Sequence, residues 1–138
     1  MKNYELIEHT ADVGIRVKGA DLQELFVNAA LAMFDIIAER KTPETKALEK
    51  ITVAQKADDL EELFLNWLNE LLSLSATREL IFSDFTFSSL DNNNLHAILC
   101  GSSIANYRIN TEIKAATYHE LKIEKTPSGW QAEVIFDV

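Results

Sequence analysis

Cysteine occurs once in these 138 residues, at Cys100, so no internal disulfide can form. It sits in the apolar run Ala97–Cys100 and reads as a buried small hydrophobe. Histidine occurs three times, at His9, His96 and His119, too dispersed for any zinc-finger spacing. No uninterrupted apolar stretch approaches the length of a membrane span, and no apolar signal core follows Met1-Lys2-Asn3-Tyr4. The expectation is a soluble chain of a reducing compartment, the cytoplasm. Positive charge is also scarce. Against 22 Asp and Glu stand 13 Lys and Arg, a net charge of −9. So acidic a surface repels phosphate backbones, which argues against tight direct binding of RNA or DNA and suits a basic protein partner or a cation. Catalytic signatures are missing too: there is no Gly-rich phosphate loop and no G-x-S-x-G nucleophile elbow. Paired carboxylates could run acid–base chemistry, but composition cannot select one pair from 22.

What is present is the balance of a folded domain, 47% apolar and 25% charged, over a length that fits a single unit spanning residues 1–138. Tyr4–Thr10 reads as a strand. Val13, Ile15 and Val17 alternate with Gly14, Arg16 and Lys18, the period of a half-buried strand. Asp21, with Glu24 three residues on, caps a helix whose apolar stripe runs from Leu22 to Ile37 and which should fray near Glu39–Lys41, ahead of Pro43. Ile51 and Val53 mark another strand. Asp58, with Glu61, should cap a second helix whose stripe is Leu60, Leu63, Phe64, Trp67, Leu68, Leu71 and Leu72, a core face against a sheet. Leu80–Ser88 and Leu95–Gly101 read as strands joined by the turn-forming Asp91–Asn94, and Ser102–Asn110 favours no single state. A strand starting at His119, the turn Thr126–Gly129 and a last strand with Trp130, Ala132, Val134 and Phe136 on one face complete the chain. The fold class expected is α+β: a two-layer α/β sandwich, two helices packed on one face of a mixed or antiparallel sheet.

Two positions stand out for chemistry. Asp12 lies in a short polar connection between strands, where a carboxylate is either a turn former or a functional group. Asp137 is the penultimate residue of the last strand, on the face opposite Trp130 and Phe136, with the α-carboxylate of Val138 beside it. Two anionic groups at a strand end form either a solvated chain end or a site for a hard cation, since Ca²⁺ and Mg²⁺ take oxygen ligands. His9, three residues before Asp12, could orient a carboxylate, accept a proton or make a structural hydrogen bond. His96 reads as a surface or edge residue. Lys114, in the run Ile113–Thr117, either snorkels to solvent or pairs with a carboxylate.

Three separated segments carry a resemblance. His9-Thr10-Ala11-Asp12-Val13-Gly14-Ile15, Glu112-Ile113-Lys114-Ala115-Ala116-Thr117-Tyr118-His119 and the ending Trp130 to Val138, with its Phe136-Asp137-Val138 close, resemble, in this order, the signatures of the archeases. The helix Asp58–Leu72, with Trp67-Leu68-Asn69-Glu70-Leu71-Leu72, is similar too. The resemblance spans essentially the whole chain. It implies a two-layer α/β sandwich that catalyses nothing itself but serves an RtcB-type RNA ligase, which joins RNA ends in tRNA splicing and RNA repair using GTP and Mn²⁺. It implies promotion of ligase guanylylation and multiple turnover, and a divalent metal site, holding Ca²⁺ in isolation and Mn²⁺ or Mg²⁺ with the ligase. By resemblance the ligands are Asp12, Asp137 and the terminal carboxylate of Val138, with Lys114 the functional lysine, balancing the acidic cluster or contacting a nucleotide phosphate at the joint site. Ala116 departs from the larger aliphatic residue of many members. The competing classes are a small metal-dependent hydrolase using Asp12, Asp137 and His9, and a chaperone-like binding module.

Overall fold

The computed structural model describes residues 3–7, 12–42 and 48–138. Strands β1 (Tyr4–Ile7) and β2 (Val13–Gly19) lead into helix α1 (Leu22–Ile37). A short β3 (Ala38–Arg40) and β4 (Glu49–Lys56) precede helix α2 (Leu60–Arg78). The remainder is β5 (Leu80–Leu90), β6 (Asn94–Ser103), a 3-10 turn at Ile104–Asn106, β7 (Tyr107–Ile109), β8 (Ala115–Thr126) and β9 (Gly129–Asp137). The class is α+β, and every strand pair among the described residues is antiparallel. The strands divide among a four-stranded sheet ordered β1-β2-β9-β8, a three-stranded sheet ordered β4-β6-β5 and the pair β3-β7.

Both helices start where a carboxylate can accept the first free N–H groups. Asp21 accepts from the Glu24 N–H at 2.8 Å, and Glu24 reaches back to the Ala20 N–H. In α2 the cap is Asp59, which accepts from Glu62, rather than the expected Asp58 with Glu61. Both spacings satisfy the capping pattern. The side chain of Asn93 decides between them by donating to the carbonyls of Ala57 and Asp58, while Ala57 donates to the Asn93 carbonyl. The chain is thereby tied to the β5–β6 turn until Asp58, and the helix begins after Asp59.

The apolar stripes behave as the 3.6-residue period requires. α1 packs on β2 and β5, and α2 on β8, β5 and β4. Trp67 is fully buried and donates its indole N–H to the Phe26 carbonyl at 3.0 Å, with Phe26, Phe85 and Phe87 around its ring. Buried residues of both helices and both larger sheets join in one apolar cluster.

Other expectations change where a distant partner intervenes. α1 does not fray into Glu39–Lys41: Ala38–Arg40 pairs with Tyr107–Ile109, about seventy residues on, which also gives the ambiguous 102–110 segment its form. β8 begins at Ala115, four residues before His119. Between the pairs Thr117–Ile135 and Lys122–Glu133, the residues 118–121 oppose Val134 alone. This bulge holds His119, the exposed Tyr118 and Glu120, whose φ of 54° lies in the left-handed region. Cys100 is half-buried, because the alternation of β6 turns Ala97 and Leu99 inward and Ile98 and Cys100 outward. His96 is exposed on β6, the central strand of its sheet, hence a surface residue and not an edge one.

Candidate functional site

Asp12 and Asp137 are far apart in sequence and meet through the pairing of β2 with β9. The register sets Val13 opposite Phe136, and Arg16 opposite Glu133. Asp12 and Asp137 lie one residue beyond the Val13–Phe136 pair, at the same end of the sheet. The face they occupy follows from alternation. Arg16 and Glu133 join on it in an ion pair at 2.7 Å. Two residues towards the sheet end, Gly14 lies opposite Ile135; two more put Asp137 on that face, and the alternation continued past the start of β2 gives Asp12 the same side. It is the face turned away from the buried row Ile15, Val17, Val134 and Phe136. Gly14 fits there closely, since a Cβ at this position would stand 3.2 Å from the Cβ of Ile7.

The third strand brings Lys114. β8 pairs with β9 so that Ala115 faces Asp137, and the Lys114 N–H donates to the Asp137 carbonyl at 2.7 Å. Lys114 is thus a backbone neighbour of Asp137. Its side chain is exposed and lines a groove of about 730 Å³ between α2 and the 104–114 segment, with Asn69, Leu72, Ile109 and Glu112. Among the described residues it forms no ion pair. Of its two sequence readings, the solvent-facing one matches this placement. Asp137 and Val138 are exposed and Asp12 is half-buried. Val138 follows Asp137 directly and falls beside Lys114 when the β8–β9 register is continued. His9, with Thr10 and Ala11 of the first motif, lies outside the described residues.

Among the described residues, no group of three or more His, Cys, Asp or Glu side chains could hold a metal ion. The candidate oxygen donors at this sheet end are the side chains of Asp12 and Asp137 and the backbone around Val138. Oxygen donors of this kind suit a hard divalent ion rather than a thiophilic one.

Asn69 was not singled out from the sequence. It projects from α2 to β8, accepting the Ala116 N–H at 2.8 Å and donating to the Ala116 carbonyl at 3.1 Å. Its signal was an amide within a leucine-rich stretch of helix, two residues from the fully buried Trp67.

The comparisons with known proteins bear on this arrangement. The model of the Archease protein family (MTH1598/TM1083) matches residues 4–138. The chain belongs to the archease family. It is 38% identical to the archease of Pyrococcus abyssi, over the whole of both chains. It is 37% identical to that of Methanosarcina barkeri, over 99% of this chain and 97% of the other. The solution structure of Methanobacterium thermoautotrophicum protein 1598 superposes over all of both chains with a TM-score of 0.74 at 30% identity. The crystal structure of a Thermotoga maritima archease, described as a possible chaperone, superposes with a TM-score of 0.67 over 96% of this chain and 94% of that one. At 24% identity that likeness speaks for the fold alone. An archease fold is therefore the frame in which the β2–β9–β8 end is to be read.

Proposed function

We propose that this archease-family chain is a non-catalytic, metal-binding activator of an RtcB-type RNA ligase, promoting guanylylation of the ligase and its multiple turnover in tRNA splicing or RNA repair. The observation that carries the reading is the convergence of Asp12 and Asp137 through the β2–β9 register, with Lys114 tied to Asp137 by its backbone. The three positions that the family resemblance singles out, separated by 102 and 23 residues in sequence, come to one end of one sheet.

Asp12, Asp137 and the carboxylate of Val138 would hold a divalent cation, Ca²⁺ in isolation and Mn²⁺ or Mg²⁺ beside the ligase. When bound, the cation supplies positive charge for orienting phosphate oxygens. The exposed Lys114 adds a fixed positive charge at the same end, placed to contact a phosphate of GTP held by the ligase. The protein contributes position and charge at the mouth of the ligase site, and the bond-making remains the ligase's. Its net charge of −9 directs it to a protein partner rather than to the RNA. Cytoplasmic residence accords with this role, and no helix among the described residues is long and apolar enough to cross a membrane.

The test is ligase guanylylation with GTP and Mn²⁺, with and without this protein. The reading expects faster guanylylation and product beyond one turnover when the protein is substoichiometric. Suppressed aggregation of unrelated clients with no effect on the ligase would instead favour the chaperone role attached to the T. maritima relative. RNA cleavage or phosphate-ester hydrolysis by the protein alone, lost in Asp12→Ala, would favour a hydrolase.

A further inference from the structure

We infer that Asn69 is a positioning residue for Lys114, acting through the backbone of β8; the inference rests on the activator reading above. Among the described residues β8 is an edge strand, with β9 on one side and no strand on the other. An edge strand leaves backbone N–H and C=O groups without strand partners, and a buried one must find them elsewhere. Ala116 is 5% exposed, and the carboxamide of Asn69 satisfies both of its backbone groups as a neighbouring strand would.

Asn69 can do this rigidly because of where it stands. Its helix neighbours Trp67, Leu68 and Leu71 are fully buried, so the helix cannot shift without disturbing the core. Among the described residues the segment leading to β8 is otherwise held at few points. Asn110 and Thr111 donate to the Ile37 carbonyl, Ile113 buries its side chain, and Lys114 donates to Asp137. Beyond Thr117 the bulge at residues 118–121 breaks the regular pairing with β9. Lys114 therefore sits in a stretch that the sheet grips over Ala115–Thr117 alone before the ladder is interrupted. The Asn69 clamp lies at the middle of that grip, two residues from Lys114.

A carboxamide is the side chain suited to this: it presents one acceptor and two donors from one planar group. Aspartate keeps the acceptor for the Ala116 N–H but loses the donor and adds charge. Leucine, of similar size, loses both. The function of Asn69 is thus to fix the path of the backbone at Ala115–Ala116, and so the point from which the Lys114 side chain leaves the sheet end. Asp137 ends β9 and Asp12 directly precedes β2, whereas both hydrogen bonds of the Asn69 carboxamide run to β8.

The experiment compares wild type, Asn69→Ala, Asn69→Asp and Lys114→Ala by amide hydrogen exchange, Ca²⁺ calorimetry and ligase activation. In Asn69→Ala the Lys114 amide, whose own bond runs to Asp137, should exchange about tenfold or more faster, while the amides of Val134 and Val17 keep their protection. Ca²⁺ affinity should stay within about threefold of wild type, and activation should fall about tenfold, towards the level of Lys114→Ala. Asn69→Asp, keeping half of the clamp, should fall between wild type and Asn69→Ala and serves if the alanine variant does not fold. Unchanged exchange at Lys114 in the folded variants, or equal acceleration across every strand, would overturn the positioning role whatever the ligase does. Accelerated exchange at Lys114 with full activation in both Asn69→Ala and Lys114→Ala would leave the clamp standing and overturn the activator role of Lys114.

Discussion

Asp137 is exposed and Asp12 half-buried, so replacing either removes an oxygen donor without opening a core cavity. Asp12→Ala and Asp137→Ala should each weaken Ca²⁺ and Mn²⁺ binding by about tenfold or more, because few protein donors remain, and calorimetric titration measures it. A melting temperature held near wild type would show that the loss is local. Where the proposed site uses a terminal carboxylate of Val138, extending the chain beyond it puts a neutral amide carbonyl in that place. A C-terminal tag should therefore impair metal binding where an N-terminal tag does not; equal affinity in the two would exclude Val138 as a ligand. A titration well away from the site tests the electrostatic description. Burial, and then the 2.5 Å hydrogen bond to Asp35, push the Tyr4 hydroxyl from 10.0 up to about 12. The folded state thus holds the proton more tightly than the unfolded chain. The linked stability is whole below pH 10 and is lost as the pH rises towards 12. Ultraviolet titration of phenolate should find Tyr4 late, and Asp35→Asn should bring it earlier.

The elements differ in how far their own residues determine them. α1, α2 and the β8–β9 hairpin were legible because cap, stripe and turn are local signals, each complete within a dozen or so residues. The choice of Asp59 over Asp58 was not, since it depends on Asn93 reaching across from another turn. Asp59→Ala should cost about 1 kcal/mol in chemical denaturation, the usual worth of a helix cap, and Asp58→Ala markedly less. Equal costs would mean the two carboxylates share the cap. β3, β7 and the bulge of β8 escaped for the same kind of reason: short strands form only against a partner, and a three-residue slip in pairing leaves no periodic trace. The site shows the limit most sharply. Asp12 and Asp137 were recognised as carboxylates at strand ends, but nothing local says that those ends adjoin, and the family resemblance was needed to join them. Asn69 was hidden because its partners are backbone atoms of Ala116, and backbone needs are invisible in side-chain patterns.

At the scale of the whole molecule, the α+β fold brings Asp12 and Asp137 to one sheet end. Its charge of −9 predicts weak RNA binding at physiological salt, and sub-micromolar affinity in a filter-binding assay would contradict the proposed division of labour with the ligase. Lys114 separates that role from simple metal storage. Lys114→Ala should keep its fold by circular dichroism and its Ca²⁺ affinity, yet activate poorly, because the fixed charge is lost while both aspartates remain. The most direct test of the account is single-turnover guanylylation of an RtcB-type ligase with GTP and Mn²⁺, alone and with wild type, Lys114→Ala or Asp137→Ala at equal concentration. The account predicts acceleration by the wild type and a loss of most of it in both variants, each folded. Guanylylation that proceeds at one rate in all four reactions would contradict it.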